Sequence, residues 1–506
     1  MTTSILGKPD YTMEEVQEIL EGARSMVPVA VEAYRKINRG AFPPAIKMFE
    51  DSALVSGNIT RNTPPTNVII QILEESTRTA GSFRRAAKNL GLDPVVIHMA
   101  ATSRGGKGES PLDDAEQHMI QGAGIYILRT SVEGEPKFLA EKLQSMGYQI
   151  SVINAGDGKH RHPTQGRLDL LTLDISGKLK KGMKIGIGGD LKYGRTVHSI
   201  LSVLKPFEPE VSLVPFGGLE LESPYRDGLN IVGEEEGNLE LLLDCDVIYL
   251  TRVQQKRIAV PTDFDRIQRV YITNLAFLER AKKGCIIMHP GPRRGEISDE
   301  IRRDPRLVMS AQAWLGIPER MNEIWIAATQ HKPVQGFSRG EVEILSEENK
   351  PARTKPGTMT IGSPERGTVI DHLPAGAGDM IKALLRKAGW VNSEQTVPVS
   401  DFVDSPGRRC KKDIIVVHGD FISNEAGALI TLLAPDATIN HIRGDGILTK
   451  MKFAPAKGIC GLCQCHNGDC ITNHDGEAET RFLVRDEKAI CYWCETIHNL
   501  PALIGK

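Results

Sequence analysis

The chain has 506 residues, of which 40% are hydrophobic and 25% charged, and its formal net charge is −2. This length exceeds what one hydrophobic core fills, so we expect two to four domains of globular composition. The near-neutral balance excludes a global attraction to nucleic acid or anionic membranes. No run of about 18 apolar residues predicts a membrane span, and the first residues lack the regions of a signal peptide. We therefore expect a cytoplasmic protein.

The earliest structural signals are a helix and a strand–helix unit. Thr12-Met13-Glu14-Glu15 has the spacing of a capping box and predicts a helix. Residues 67–73 are rich in β-branched side chains, which predicts a buried strand, and apolar residues at helical spacing follow from Phe83 to Leu90. A turn from strand to helix is therefore predicted between them.

That turn carries Ser76, Thr77, Arg78 and Thr79. Free backbone N–H groups and the positive end of a helix converge there, and hydroxyls with a guanidinium complete a cradle for a phosphate. An ordinary Ser/Thr helix N-cap with a solvated arginine is the alternative interpretation.

A glycine-rich stretch, 103–110, surrounds Lys107. Because three glycines are unfavourable in a helix or strand, this stretch predicts a mobile surface loop. Such a loop delivers positive charge when a site closes, or is simply a turn with a solvated lysine.

Several later predicted strands end on polar residues that suit anion binding. In chain order these are Arg129, then His162 and Gln165 flanking a helix start, then Arg195, then Arg252 and Gln254. The carboxyl ends of strands in open α/β sheets bind ligands, so these groups predict a cleft that holds a phosphate on one side and a carboxylate on the other. Residues 183–190 are similar to a dinucleotide fingerprint, but Leu191 replaces the third glycine, so we reject a nicotinamide site.

Another predicted strand ends on His289-Pro290-Gly291-Pro292-Arg293. Two prolines two residues apart predict a rigid turn whose carbonyls of Pro290 and Gly291 are available to a ligand, and a cis bond at Gly291–Pro292 is compatible with it.

Composition changes suggest the domain boundaries. We expect α/β domains at 1–164 and 165–340, with a last helix near 317–330 packing back on the first domain. An exposed linker at 341–366, an α+β domain at 367–455 and a metal-binding domain at 456–506 follow.

Six of the nine cysteines fall between Cys460 and Cys494. In a chain without an export signal, such clustering indicates metal ligation rather than disulfides. Two knuckles, Cys465-x4-Cys470 and Cys491-x2-Cys494, match a tetrahedral structural zinc site, and Cys460-x2-Cys463 is a competing knuckle.

Together these motifs resemble the aspartate carbamoyltransferases, with the catalytic and regulatory chains fused in one polypeptide. The motifs from Ser76 to Gln254 resemble those of the catalytic chain, in the family's order, and the stretch from Gly367 to the cysteine knuckles resembles the regulatory chain. The resemblance implies an α/β fold with two doubly wound catalytic subdomains, the first binding carbamoyl phosphate and the second aspartate. An α+β nucleotide-binding domain and a small zinc-binding β domain follow.

The resemblance also implies a reaction, the transfer of a carbamoyl group from carbamoyl phosphate to the α-amine of L-aspartate in pyrimidine biosynthesis. It assigns phosphate binding to Ser76, Thr77, Arg78 and Thr79, and polarisation of the carbonyl to Thr79, Arg129 and His162. The carbamoyl amine is assigned to Gln165, Pro290 and Gly291, and the aspartate carboxylates to Arg195, Arg252 and Gln254. Ser103 and Lys107 are expected from a neighbouring subunit, which implies catalytic trimers, paired into a hexamer through the fused tails.

On the regulatory side the resemblance implies a nucleoside triphosphate site at Asp371, His372, Lys412 and Lys450, with Val416 where the family has a second lysine. It implies one structural zinc held by Cys465, Cys470, Cys491 and Cys494, and no organic cofactor.

The catalytic part of the sequence departs from the family pattern at a few positions. Gly291 replaces a larger apolar residue, Leu315-Gly316 stands where Asn-Gly is usual, and Ile72 and Glu75 alter the approach to the phosphate motif.

Two other functions are compatible with the same residues. One is a carbamoyltransferase for another amine, although the His-Cys-Leu-Pro signature of ornithine enzymes is absent. The other is a silent partner that senses nucleotides, or binds nucleic acid through its cysteine-rich domain. The near-neutral charge and the absence of a basic-aromatic patch argue against nucleic acid.

Overall fold

The computed structural model describes residues 4–37, 47, 63–99, 103–253, 272–330, 332–348, 364–392, 396–400, 412–444 and 446–504. The chain divides into two compact units. The first comprises residues 1–335 with 469–475, and the second comprises 336–468 with 476–506.

The first sheet of unit 1 has four parallel strands in the order β2-β1-β3-β4. These strands are β1 (Asn67–Ile72), β2 (Val95–His98), β3 (Ala123–Thr130) and β4 (Ser151–Asp157). The helices of this part are α1 (Met13–Ile37), α2 (Thr77–Asn89), α3 (Ser103–Lys107), α4 (Pro111–Ile120), α5 (Glu135–Ser145) and α6 (Pro163–Ile175). The predicted capping box begins α1, because Glu15 N–H donates to Thr12 Oγ1 over 3.2 Å and Thr12 N–H donates to Glu15 Oε2 over 2.8 Å.

The second sheet of unit 1 has five parallel strands in the order β7-β6-β5-β8-β9. They are β5 (Lys184–Gly189), β6 (Glu210–Pro215), β7 (Asn230–Glu234), β8 (Val247–Leu250) and β9 (Ile286–Met288), with helices α7 (Arg195–Leu204) and α8 (Leu275–Arg280). In both sheets the strand order reverses beside the first strand, at β1/β3 and at β5/β8. Ligands bind outside the carboxyl ends of strands at such switch points.

A long helix, α9 (Met309–Thr329), packs against α1, α2 and α6. It begins eight residues before the helix expected from Ile317, and it carries Pro318 inside. Its apolar side chains Met321 and Ile324 are fully buried in one core with Ile70 of β1 and Phe83 of α2.

The expectation of a glycine-rich loop at 103–110 was wrong for Ser103–Lys107, which form the short helix α3. Arg104 anchors this turn, because its guanidinium pairs with the fully buried carboxylate of Glu135, Nη2 to Oε2 being 3.1 Å. A buried charge pair outweighs the helix propensity lost at two glycines. Lys107 lies at the end of the turn and is exposed.

Unit 2 contains a six-stranded antiparallel sheet in the order β10-β15-β14-β11-β13-β12. Its strands are β10 (Ile344–Glu348), β11 (Arg366–Pro374), β12 (Thr396–Ser400), β13 (Lys412–His418), β14 (Thr438–Arg443) and β15 (Gly446–Phe453), and its helices are α10 (Ala377–Lys387) and α11 (Asn424–Ile430). Strand β10 lies within the stretch expected to be linker, where it pairs with β15 at the sheet edge. The expected linker is therefore structured at 344–348.

The last part of the chain forms a small antiparallel sheet, β16-β17-β18-β19. Its elements are β16 (Gly458–Cys460), β17 (Arg481–Arg485), β18 (Lys488–Cys491), β19 (Ile497–Asn499) and α12 (Leu500–Ile504). The predicted fold class is confirmed: two parallel α/β sheets precede an α+β domain and a small cysteine-containing β domain. Among the helices described, none has the length and apolarity needed to cross a membrane.

Candidate active site

Unit 1 contains a cavity of about 850 Å³ lined by residues at the carboxyl ends of strands from both sheets. It brings together most of the predicted catalytic and substrate residues, namely Ser76, Thr77, Arg78, Thr79, Arg129, His162, Gln165, Arg195, Arg252, Pro290 and Gly291. Exposed Lys107 is not among the lining residues described, and Gln254 and the Ser103 side chain lie outside the described part of the chain.

The phosphate cradle forms where β1 passes into α2. Ser76 is the N-cap of α2, and its Oγ accepts a hydrogen bond of 3.3 Å from the backbone N–H of Thr79. Thr79 Oγ1 lies 2.9 Å from the same hydroxyl, and Thr79 is 6% exposed. Ser76 thus acts as an ordinary helix N-cap, and this is compatible with the predicted phosphate cradle. The cap uses one backbone N–H of the first turn, and the other N–H groups are available to an anion.

The guanidinium groups of buried Arg129 and partly buried Arg195 share one carboxylate beside this cradle. Arg195 Nη1 donates to Glu74 Oε2 over 2.6 Å and to the carbonyl of Gly158 over 2.8 Å. Arg129 Nη2 lies 3.4 Å from the same Glu74 oxygen. Burial, followed by the neighbouring charge of Arg195, lowers the pKa of Arg129 to about 9. Gathering these cations favours a bound anion, because Glu74 alone offers one charge to both.

His162 lines the same cavity as these cations, is 4% exposed and is the N-cap of α6. Burial, and then the charges of Arg129 and Arg195, hold the pKa of its imidazole well below the usual value. The ring is therefore neutral at physiological pH. Thr164 Oγ1 lies 3.2 Å from Nδ1, so a hydroxyl that donates there leaves the proton on Nε2.

The His289–Arg293 turn is held by hydrogen bonds to the His289 ring. Gly291 N–H donates to Nδ1 over 2.8 Å, which places the ring proton on Nε2, 2.7 Å from Glu296 Oε1. The Gly291–Pro292 peptide is cis, as the two prolines suggested. Gly291 has φ of 69°, and a Cβ built there would overlap the guanidinium of Arg78. Gly291 replaces a larger apolar residue of the family, and the guanidinium of Arg78 lies where its side chain would begin.

Glu74, Gln312 and Arg320 are among the cavity residues that the sequence did not identify. Arg320 is 5% exposed, donates from Nη1 to Ser82 Oγ over 2.7 Å and lies over the ring of Phe83. Gln312 and Arg320 interrupt the apolar pattern of helix α9, and this interruption could have identified them from the sequence. Glu74 directly precedes the cradle but has no distinctive spacing.

In unit 2, strand register places the predicted nucleotide residues near one another on the six-stranded sheet. Lys412 Nζ lies 2.7 Å from Asp371 Oδ1, and His372, in the left-handed region with φ of 63°, donates its N–H to the same oxygen. Lys450 of β15 lies opposite Asn440 of β14, and Asn440 lies opposite Val369 of β11. Val369 is two residues before Asp371, so both are on the same face of the sheet. Val416 pairs with Val369 from the other side and is 2% exposed, so it supplies no charge to this face.

The thiols of Cys465, Cys470, Cys491 and Cys494 lie within 4.8 Å of one another, all buried. A tetrahedron with metal–sulfur bonds of ~2.3 Å has edges of ~3.8 Å, and the Cys465–Cys494 sulfur distance is 3.7 Å. Thr496 and Thr472 place hydroxyls 3.2 and 3.3 Å from Cys494 and Cys470 sulfurs. The donor set and its spacing therefore fit a structural metal. Cys460 and Cys463 are outside this cluster.

Comparison with known proteins agrees with this geometry. Residues 4–174 match the sequence model of the aspartate/ornithine carbamoyltransferase carbamoyl-phosphate-binding domain, and 181–322 match the corresponding aspartate/ornithine-binding domain. Residues 359–454 and 457–503 match the allosteric and metal-binding domains of the aspartate carbamoyltransferase regulatory chain. The fold and the site thus define a carbamoyltransferase class.

Individual relatives narrow the class. An aspartate carbamoyltransferase catalytic subunit from Methanothrix thermoacetophila is 33% identical over 322 residues, which are 63% of this chain and 95% of the relative. One from Saccharolobus islandicus is 35% identical over 257 residues, 50% of this chain and 82% of the relative.

Solved structures give the same result. The catalytic subunit of M. jannaschii aspartate transcarbamoylase is 32% identical with a TM-score of 0.52, over 64% of this chain and 97% of that one. The Trypanosoma cruzi aspartate transcarbamoylase in complex with carbamoyl phosphate and aspartate is 25% identical with a TM-score of 0.52, over 65% and 96%. The chain belongs to the aspartate carbamoyltransferase family, with catalytic and regulatory domains in one polypeptide.

Proposed function

We propose that the protein transfers the carbamoyl group of carbamoyl phosphate to the α-amine of L-aspartate, giving N-carbamoyl-L-aspartate and phosphate for pyrimidine synthesis. The observation that carries this proposal is the convergence of Arg78, Arg129, Arg195 and Arg252 with His162 in one cavity. Such a cluster suits two acidic substrates bound side by side.

In the proposed reaction the amine nitrogen attacks the carbonyl carbon, and the bond from that carbon to the phosphate oxygen breaks. The phosphate leaves with the electron pair and takes the proton that the amine gives up. No side-chain nucleophile is required, because the site holds both substrates in line. The catalytic requirement is to stabilise charge that develops on the carbonyl oxygen and on the leaving phosphate.

Each residue receives a role from its position. Ser76, Thr77, Arg78 and Thr79 hold the phosphate, and Thr79, Arg129 and neutral His162 donate to the carbonyl oxygen. Gln165 and the carbonyls of Pro290 and Gly291 accept from the carbamoyl amine. Arg195, Arg252 and Gln254 bind the aspartate carboxylates.

Colorimetric detection of N-carbamoyl-aspartate tests the activity, and Arg78→Ala tests the site. Loss of one preorganised donor costs roughly 10²–10³ in rate, so we expect that loss for Arg78→Ala. Arg84→Ala is the matched control, since Arg84 lies on the same helix, is exposed and is not among the described residues that line the cavity. Ornithine and other amines in place of aspartate test the alternative acceptor. Full turnover by Arg78→Ala, or a faster reaction with ornithine, would contradict the proposal.

We also propose that Ser103 and Lys107 act in a neighbouring subunit, in catalytic trimers that pair into hexamers. The exposure of Lys107 away from the cavity lining supports this. Mixing the two inactive variants Lys107→Ala and Arg78→Ala, after dissociation and reassembly, should restore part of the activity, because some sites then receive both native residues. An active monomer in sedimentation, or no recovery on mixing, contradicts it.

We propose that a nucleoside triphosphate binds in unit 2 at Asp371, His372, Lys412 and Lys450. We also propose that the four-cysteine cluster holds zinc as a purely structural cross-link. Aspartate saturation curves with and without ATP or CTP test the first proposal, and Lys412→Ala should abolish any effect. Thiolate ligation requires a reducing compartment, so the cytoplasm is the proposed location.

A further inference from the structure

A carboxylate behind the cavity wall collects three hydrogen bonds from three different elements. Asp169 of α6 is fully buried and does not line the cavity. Its Oδ1 accepts from Gln165 Nε2 over 2.9 Å and from Gln312 Nε2 over 2.7 Å, and its Oδ2 accepts from Tyr249 Oη over 2.8 Å. A carboxylate without solvent is costly unless such donors surround it.

The chemistry of Asp169 determines which way the Gln165 amide points. Asp169 Oδ1 acts as an acceptor, because it receives the NH₂ group of Gln312, whose oxygen already accepts from the backbone N–H of His289. Gln165 therefore presents its own NH₂ group to the same oxygen. The amide oxygen of Gln165 then faces the cavity that this residue lines. If the amide were reversed, two acceptors would meet in a buried place and the NH₂ group would face the ligand.

The second bond on the same oxygen extends to the proline-rich turn. Gln312 is 1% exposed, donates to Asp169 from Nε2 and accepts from the backbone N–H of His289 over 2.9 Å. His289 begins the turn whose carbonyls belong to Pro290 and Gly291. Asp169 Oδ1 therefore orients the Gln165 amide directly and holds the His289–Arg293 turn through Gln312.

We infer that Asp169 is a positioning residue that turns the carbonyl oxygen of Gln165 toward the cavity, so that the site selects a substrate with an N–H group beside its carbonyl and disfavours one with a methyl group there. This inference rests on the proposed function for the identity of the substrate. Burial raises the pKa of the Asp169 carboxyl to about 7, while the bonds from Gln312, Tyr249 and Gln165 lower it.

The test compares binding of carbamoyl phosphate and acetyl phosphate, which differ by NH₂ against CH₃. Calorimetric or thermal-shift titration measures both dissociation constants without turnover, so failure of the proposed transfer reaction is distinguishable from failure of this inference. A methyl group leaves the buried Gln165 oxygen unpaired, so we expect the native protein to favour carbamoyl phosphate about tenfold.

The deciding variants change the acceptor at position 169. Asp169→Leu should reduce the preference to within about twofold of that measured in Gln165→Ala, whereas Asp169→Asn should retain it, because an amide oxygen can serve Gln165 and Gln312 while its NH₂ group meets Tyr249. If Asp169→Leu does not fold, Asp169→Ser takes its place with the same expected loss. The control Tyr249→Phe removes only the donor on Oδ2 and should retain the preference.

A merely structural role would weaken both ligands equally and leave their ratio unchanged. The inference would be overturned if Asp169→Leu or Asp169→Ser kept the native ratio of the two dissociation constants. It would also be overturned if Asp169→Asn lost the preference for carbamoyl phosphate as fully as Asp169→Leu. Adding Asp169→Leu to Gln165→Ala should lower the ratio no further, because Asp169 acts through the amide of Gln165. An additive loss in this double variant would also overturn it.

Discussion

The guanidinium of Arg78 occupies the space that a side chain on Gly291 would need. Arg78 extends from the first turn of α2, and Gly291 lies in the turn after β9, so this contact joins elements that follow strands of the two different sheets of unit 1. Gly291 also has φ of 69°, a conformation that L side chains rarely adopt. In this chain, a side chain at position 291 would therefore have to displace the end of Arg78 and adopt an unfavourable backbone conformation.

Gly291→Ala should displace Arg78 and raise the KM for carbamoyl phosphate by at least tenfold. Gly284→Ala is the matched control: Gly284 has φ of 78° with no atom near its missing Cβ, so it carries the backbone cost alone. That cost is about 1 kcal/mol of stability, without a kinetic effect. The measurements are the KM for carbamoyl phosphate and the melting temperature of both variants. An equal KM in the two variants would mean that Arg78 can move aside without loss of carbamoyl phosphate binding.

Local patterns predicted the parts of the fold that local physics controls. The strand before Ser76, the helix after it and the Ser76 cap follow from β-branched composition, helical spacing and a side-chain acceptor within four residues. The Thr12–Glu15 capping box is equally local.

The elements that the sequence did not reveal depend on partners far along the chain. The α3 turn is held by Arg104 and Glu135, 31 residues apart. Strand β10 is exposed at all five residues, so it has no apolar alternation, and it pairs by backbone with β15. Asp169 lies on a helix buried on nearly every side, where no periodicity separates one polar residue from its neighbours.

The state of His162 predicts an unusual response to mutation. Because burial and the charges of Arg129, Arg195 and Arg320 hold the pKa of His162 well below its usual value, the ring remains neutral across the working range of pH. His162→Ala removes a donor to the carbonyl oxygen and should lower kcat roughly 10²–10³-fold, while the shape of the pH–rate profile stays the same. Profiles from pH 6 to 9 for both proteins test this. If the acidic or basic limb of the pH–rate profile disappeared in His162→Ala, His162 would be the group that titrates during catalysis.

The four-cysteine cluster predicts a clear division among the thiols of the last domain. Cys465→Ser or Cys491→Ser should abolish metal binding, since each removes one of the four converging sulfurs. Cys460→Ser and Cys463→Ser, in the competing knuckle, should retain about one zinc per chain. Elemental analysis of the purified variants measures this directly. Metal loss from the Cys460 or Cys463 variants would assign the ligands to the other knuckle.

Two glutamates on α9 predict how stability depends on pH. Glu319 and Glu323 are fully buried, and burial raises the pKa of Glu323 to about 7, while Arg167 and Arg320 lower it. Their carboxylate oxygens have no hydrogen-bond partner among the described residues. The folded chain therefore holds a proton on Glu323 that the unfolded chain, with a pKa of about 4.3, releases earlier. Stability from this group is complete below that value and is lost as pH rises toward 7.

Glu323→Gln keeps the shape of the protonated side chain and cannot ionise. We expect the variant to melt at a higher temperature than the native protein at pH 8, and at about the same temperature at pH 5. Glu14→Gln, an exposed change on α1, is the control and should leave the profile unchanged. A lower melting temperature for Glu323→Gln at pH 8 would mean that the ionised carboxylate is stabilised by Arg167 and Arg320, because removing one partner of a buried charge pair is destabilising.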